Sequence, residues 1–96
     1  MITLEYDSMN GLALPEGAIK PFVDQFIADY QTQDMRLVYS QGLILDYFRL
    51  AIVRGELDHN IVQVKYLDDI IEIDEDGRLK SWPMPDYLCD VLAALM

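Results

Sequence analysis

Alternation of apolar and polar residues predicts strands at the amino end of the chain and in its last third. In residues 2–6 the apolar side chains occupy every second position, which is the period of a strand with one buried face. Residues 61–66 and 70–82 carry similar signals. Residues 34–39 also alternate but run directly into a helical pattern, and we favour a strand there.

Apolar residues at helical spacing predict a first helix over residues 19–30 and a second over residues 43–52. Pro21 then lies in the first turn of the first helix, where a missing backbone donor costs nothing. Ser40 is a suitable N-cap for the second helix, and Gly55 is a suitable C-cap. Both ends of the second helix are therefore marked in the sequence.

The second helix is apolar around much of its circumference. Leu45, Leu50 and Val53 lie away from its main apolar stripe, which is typical of a central helix or of one that forms an interface. These three residues are therefore the candidate contacts of a homodimer. A third apolar stripe, over residues 87–95, predicts a C-terminal helix.

The apolar positions change parity between residues 61–66, where they are even, and residues 71 and 73, which are odd. One uninterrupted strand would place these two sets on opposite faces, so the register must be reset at residues 67–69. A tight turn or a bulge would do this. We favour a turn and hence a three-stranded meander. The alternative is a long bulged strand paired with the N-terminal strand.

The residues Asp74 to Gly77 suit a type I turn followed by a glycine in the left-handed region. The hairpin closed by this turn would place Asp74 opposite Arg78 and Glu72 opposite Lys80. Opposite charges would then meet across the strands, which supports the register.

A chain of 96 residues suits one domain with one core. The patterns together predict an α+β domain over residues 1–96. Its small antiparallel sheet, made of the C-terminal hairpin or meander and the short N-terminal strand, would pack against about three helices.

The formal net charge is -10, from 17 acidic and 7 basic residues. This field repels nucleic acid and anionic membrane surfaces, so the expected partner is a basic protein. Hydrophobic residues make up 52% of the chain, which leaves apolar surface for a partner or a second copy. The single cysteine, Cys89, and the absence of a leader pattern lead us to expect a cytoplasmic location.

Six of the nine residues from Asp68 to Asp76 are acidic and none is basic. On a strand, Glu72, Asp74 and Asp76 would form a row with a spacing of about 7 Å, which resembles every second phosphate of a nucleic-acid strand. Arg78 and Lys80 would neutralise this row in part. The alternative is a solvated edge whose charges deter aggregation. The candidate partner-binding residues are Asp69, Glu72, Asp74, Glu75 and Asp76.

No catalytic, metal or cofactor site is predicted. The segment from Glu72 partly imitates a calcium loop, but Pro83 occupies the position of the bidentate carboxylate, so we favour an ordinary hairpin turn. His59 is the only histidine, which leaves no pair for zinc, and its polar neighbours suggest a solvated loop. Cys89 lies at the edge of an apolar stripe and suggests a small buried residue.

Three functions follow in order of preference. The first is a small acidic intracellular protein that binds, and inhibits or neutralises, a basic protein such as a nucleic-acid-binding enzyme, in the manner of immunity, antitoxin-like or phage counter-defence proteins. The second is a homodimeric interaction subunit or assembly adaptor that uses a hydrophobic helix. The third is a carboxylate or metal-dependent enzyme.

Overall fold

The computed structural model describes residues 1–30 and 33–80. The described strands form one mixed sheet in the order β2-β1-β3-β4. The strands are β1 (Ile2–Tyr6), β2 (Met35–Tyr39), β3 (Val62–Tyr66) and β4 (Asp69–Glu72). Strand β1 runs parallel to both β2 and β3, whereas β3 and β4 are antiparallel.

The combination of helices and sheet confirms the α+β prediction, but the prediction of an antiparallel sheet is wrong for β1. Parallel neighbours need crossover connections, and helix α1 (Glu16–Asp29) and helix α2 (Gly42–Val53) supply them. The chain therefore alternates strand and helix before it ends the sheet with a hairpin. The predicted third helix, over residues 87–95, lies outside the described residues.

The helix boundaries differ slightly from those predicted. Because α1 begins at Glu16, Pro21 lies inside the helix and not in its first turn. The N-cap of α2 is Gln41, while the hydroxyl of Ser40 donates to the carbonyl of Leu12 at 3.3 Å. Gly55 follows α2 with a φ of 76°, as its predicted capping role requires.

The two helices pack on one face of the sheet. The rings of Phe26, in α1, and Phe48, in α2, meet edge to face at 5.6 Å between centroids. The sheet residues beneath the helices are buried and alternate along the strands; they are Ile2, Leu4, Leu37, Tyr39, Val62 and Val64. The opposite face is polar and carries Thr3, Glu5, Arg36, Gln63 and Lys65.

Within residues 1–30 and 33–80, no helix combines the length and the apolar character needed to cross a bilayer.

A two-residue turn, Leu67 and Asp68, joins β3 to β4, because Tyr66 pairs directly with Asp69. This confirms the predicted tight turn and explains the change of parity. Leu67 adopts a φ of 53°, the only positive φ at a residue other than glycine in the described chain. Its side chain is 71% exposed, so burial does not compensate for the unfavourable backbone conformation.

We expect Leu67→Gly to stabilise the fold by about 0.5–1 kcal/mol, because glycine adopts a positive φ without a steric penalty. Chemical denaturation measures the change. Asp68→Gly is the matched control, since Asp68 has no positive φ and glycine there only increases the freedom of the unfolded chain. Equal effects of the two substitutions would contradict the strained conformation of Leu67.

Candidate partner-binding site

The C-terminal hairpin has the predicted register. The amide of Asp74 donates to the carbonyl of Arg78 at 2.9 Å, and the amide of Lys80 donates to the carbonyl of Glu72 at 3.0 Å. Gly77 has a φ of 77°, and its amide donates to the carbonyl of Asp74. The local turn chemistry read from the sequence therefore describes this hairpin correctly.

Helix α2 holds the tip of the hairpin through Arg49. This side chain is 1% exposed, and its Nε donates to the carbonyl oxygen of Gly77 at 2.7 Å. A Cβ atom on Gly77 would lie 2.9 Å from both the carbonyl oxygen of Arg49 and Cγ2 of Val53. Gly77 is thus required by its positive φ and by its close approach to the helix.

Two of the predicted binding residues have partners within the hairpin. Oδ1 of Asp74 accepts hydrogen bonds from the amides of Asp76 at 2.9 Å and Arg78 at 3.0 Å. The carboxylate of Glu72 pairs with Lys80 at 3.0 Å, and both side chains are more than half exposed. Asp74 therefore stabilises the turn, while the exposed Glu72 pair contributes little to stability.

We expect Asp74→Ala to destabilise the protein by about 1–2 kcal/mol, because two backbone donors lose their acceptor. Glu75→Ala is the matched control in the same turn and is expected to change stability by less than about 0.5 kcal/mol. Thermal and chemical denaturation measure both variants. A loss at Glu75 as large as that at Asp74 would refute the structural role assigned to the Asp74 carboxylate.

The other acidic residues of the run lie at two separate ends of β4. Asp68 and Asp69 are exposed at the β3–β4 turn, whereas Glu75 is exposed and Asp76 half-buried at the hairpin tip. Extended chain separates Asp69 from Asp74 by about 16 Å. The straight row expected from the sequence does not form, because β4 ends at Glu72 and the chain turns at Asp74.

The three candidate interface residues on α2 have different environments. Leu45 is 3% exposed and belongs to the core of this chain, so it is not available to a second copy. Leu50 and Val53 are half-buried, and Val53 lies beside Gly77. The apolar circumference of α2 is thus explained in part by the hairpin that packs against it.

His59 is not the solvated loop residue expected from its neighbours. It begins a short 3₁₀ helix (His59–Ile61), is half-buried, and has its Nδ1 3.2 Å from the carbonyl oxygen of Ile73. This contact links the loop before β3 to the chain that leaves β4.

Cys89 and Pro83 lie outside the described residues. The described residues contain no group of three or more side chains that could bind a metal ion.

Three tyrosines that the apolar patterns did not single out form a cluster at the carboxyl ends of the parallel strands. Tyr6, Tyr39 and Tyr66 are in register; Tyr6 stacks on Tyr66 at 5.5 Å and meets Tyr39 at 5.7 Å. Among residues 1–30 and 33–80, the buried hydroxyl of Tyr39 has no hydrogen-bond partner. Burial, with the nearby Asp46 and Tyr6, raises the pKa of Tyr39. The sequence signal for this cluster is a tyrosine at the last position of β1, β2 and β3.

We expect Tyr39→Phe to stabilise the protein by about 1 kcal/mol, because it removes a buried hydroxyl that has no partner in the described part of the chain. Tyr6→Phe is the control: its side chain is half-buried, and we expect a change below about 0.5 kcal/mol. Chemical denaturation compares the two. A marked loss of stability in the Tyr39 variant would show that its hydroxyl is satisfied.

The loop after β1 is shaped by Asp7, whose carboxylate accepts hydrogen bonds from the amides of Met9 and Asn10 at 3.0 and 3.1 Å. The backbone hydrogen bonds from Asn10 and Met9 lower the pKa of this carboxyl group. Asp7 therefore remains charged at neutral pH and adds a carboxylate to the end of the sheet where Asp68 and Asp69 lie.

The open face of the sheet forms a shallow cavity of about 450 Å³. At its centre, the carboxylate of Glu5 lies between Arg36, with which it forms an ion pair, and Lys65 at 4.0 Å. Thr3 and Gln63 complete the polar floor through a hydrogen bond of 3.1 Å. Because Arg36 and Lys65 share the single carboxylate of Glu5, the centre of the cavity has an excess of one positive charge.

Comparisons with protein-family models, curated proteins and solved structures find no match to this chain.

Proposed function

We propose that this protein binds a basic protein partner, and inhibits or neutralises it, through the exposed carboxylates at the two ends of β4. Asp68, Asp69 and Glu75 carry the proposal, because none of them has a side-chain partner among residues 1–30 and 33–80. A carboxylate that neither forms an ion pair nor accepts a hydrogen bond within a turn remains available to a partner. The net charge of -10 directs long-range attraction toward cationic surfaces.

The spacing of the two acidic ends supports a more specific form of the proposal. At about 3.3 Å per residue, the extended chain from Asp69 to Asp74 spans about 16 Å, which is about twice the screening length of about 8 Å at physiological salt. Each end therefore acts as a separate docking point, and a partner would need two cationic patches at matching distance. Such patches occur on nucleic-acid-binding enzymes, which bind phosphates at several points.

The expected mode of recognition also changes. A continuous row of carboxylates would imitate the phosphates of one nucleic-acid strand, but Glu72 and Asp74 have partners of their own. We therefore propose that the partner recognises two acidic ends and not a phosphate-like row.

Salt dependence tests the proposal directly. The immobilised chain would be exposed to a lysate of the cells that produce it, and the retained basic proteins quantified at about 50 mM and about 300 mM salt. We expect retention to fall about tenfold or more at the higher salt concentration. A triple variant, Asp68→Asn, Asp69→Asn and Glu75→Gln, should reduce retention at low salt to a similar extent.

The matched control neutralises three other exposed acids outside the proposed surface, Glu16, Asp29 and Glu56. Glu16→Gln, Asp29→Asn and Glu56→Gln together should retain most of the binding. Retention that is insensitive to salt, or that falls equally in the control and in the triple variant, would refute the proposal.

A further inference from the structure

Large apolar side chains are concentrated beside one of the two acidic ends. Among the described residues, the large hydrophobic side chains that are most exposed are Met1 at 40%, Met9 at 89%, Leu67 at 71% and Ile70 at 62%. The β3–β4 hairpin brings two of them, Leu67 and Ile70, to the same part of the molecule. We refer to Leu67 and Ile70 as the apolar tip.

The register of the sheet fixes this arrangement. Tyr66 at the end of β3 pairs with Asp69 at the start of β4, so Leu67 lies in the turn at this end of the sheet. The loop that carries Met9 lies on the other side of β1, where the amide of Asp7 donates to the carbonyl of Tyr39 in β2. Ile70 pairs with Lys65 and follows the turn by two residues. The exposed acids Asp68 and Asp69 lie between Leu67 and Ile70 in the chain.

The fold itself does not account for Leu67. The side chain is mostly exposed, so it contributes little to the core, and its backbone conformation is one that glycine, asparagine or aspartate adopts more easily. Protein interfaces commonly have an apolar centre surrounded by a polar rim, and an exposed apolar side chain flanked by charged groups fits this arrangement.

We propose that the apolar tip is the anchor of the partner contact, with Leu67 and Ile70 packing on an apolar side chain of the partner while Asp68 and Asp69 pair with flanking Lys or Arg residues. This inference rests on the proposed function and adds a requirement to it. The partner must present an apolar group between its cationic residues, since charge complementarity alone leaves Leu67 and Ile70 in water.

Two basic peptides test the inference. The first contains lysines and leucines, and the second has the same charge with serine in place of each leucine. Each is titrated into the isotopically labelled full chain, and the backbone amide signals of residues 66–70 are followed by NMR. We expect the leucine peptide to bind about fivefold to tenfold more tightly than the serine peptide, because it buries apolar surface at the tip.

Two variants remove the anchor by different means. Leu67→Gly deletes the side chain while relieving its backbone conformation, so weaker binding by this variant cannot come from loss of the fold. Ile70→Thr keeps a β-branched residue on the strand. Each should reduce the preference for the leucine peptide and leave binding of the serine peptide unchanged. Val38→Thr is the control, because Val38 lies on the same face of the sheet as Ile70 but in β2; this variant should retain the preference for the leucine peptide.

The outcomes separate this inference from the proposed function. Equal binding of the two peptides, or a preference that survives Leu67→Gly and Ile70→Thr, would overturn the anchor. The proposed function would still stand if Asp68→Asn with Asp69→Asn weakened binding of both peptides. If neither peptide moved the signals of Asp68 and Asp69, the anchor and the use of this acidic end would both be overturned.

Discussion

The hydrogen bond from the buried guanidinium of Arg49 to the carbonyl of Gly77 determines how the hairpin of residues 72–80 lies against α2. A buried charge is tolerated only where it is paired and hydrogen-bonded, so the position of Arg49 on α2 constrains where the hairpin tip can lie. Gly77 allows this close contact because it has no side chain, whereas a Cβ atom at this position would collide with α2. The hairpin in turn fixes the position of Glu72, the last residue of β4.

This constraint divides the acidic residues into two classes. Asp74 supports the turn that Arg49 holds, and Glu72 pairs across the same hairpin with Lys80. Asp68, Asp69 and Glu75 have no comparable structural role in the described residues and remain exposed. The contrast gives the proposed binding function a physical basis, since it separates carboxylates that maintain the fold from those that a partner can use.

Features set by neighbouring residues could be predicted from the sequence, whereas features set by distant contacts could not. The Asp74–Gly77 turn and the Leu67 turn follow from local turn chemistry and from the parity of apolar positions. The parallel pairing of β1 depends on crossovers more than twenty residues long, although the alternation of strands and helices was a usable signal. The burial of Arg49 could not be predicted from its own helix, because its partner Gly77 is 28 residues away.

Native-state hydrogen exchange tests most directly whether the acidic run contains a fixed part and a free part. The amides of Asp76, Gly77, Arg78 and Lys80 all donate within the hairpin, so we predict that they exchange slowly. The amide of Asp68, in the exposed two-residue turn, should exchange much faster. Exchange at Gly77 and Arg78 as fast as at Asp68 would contradict the account, because the hairpin would not then be held against α2.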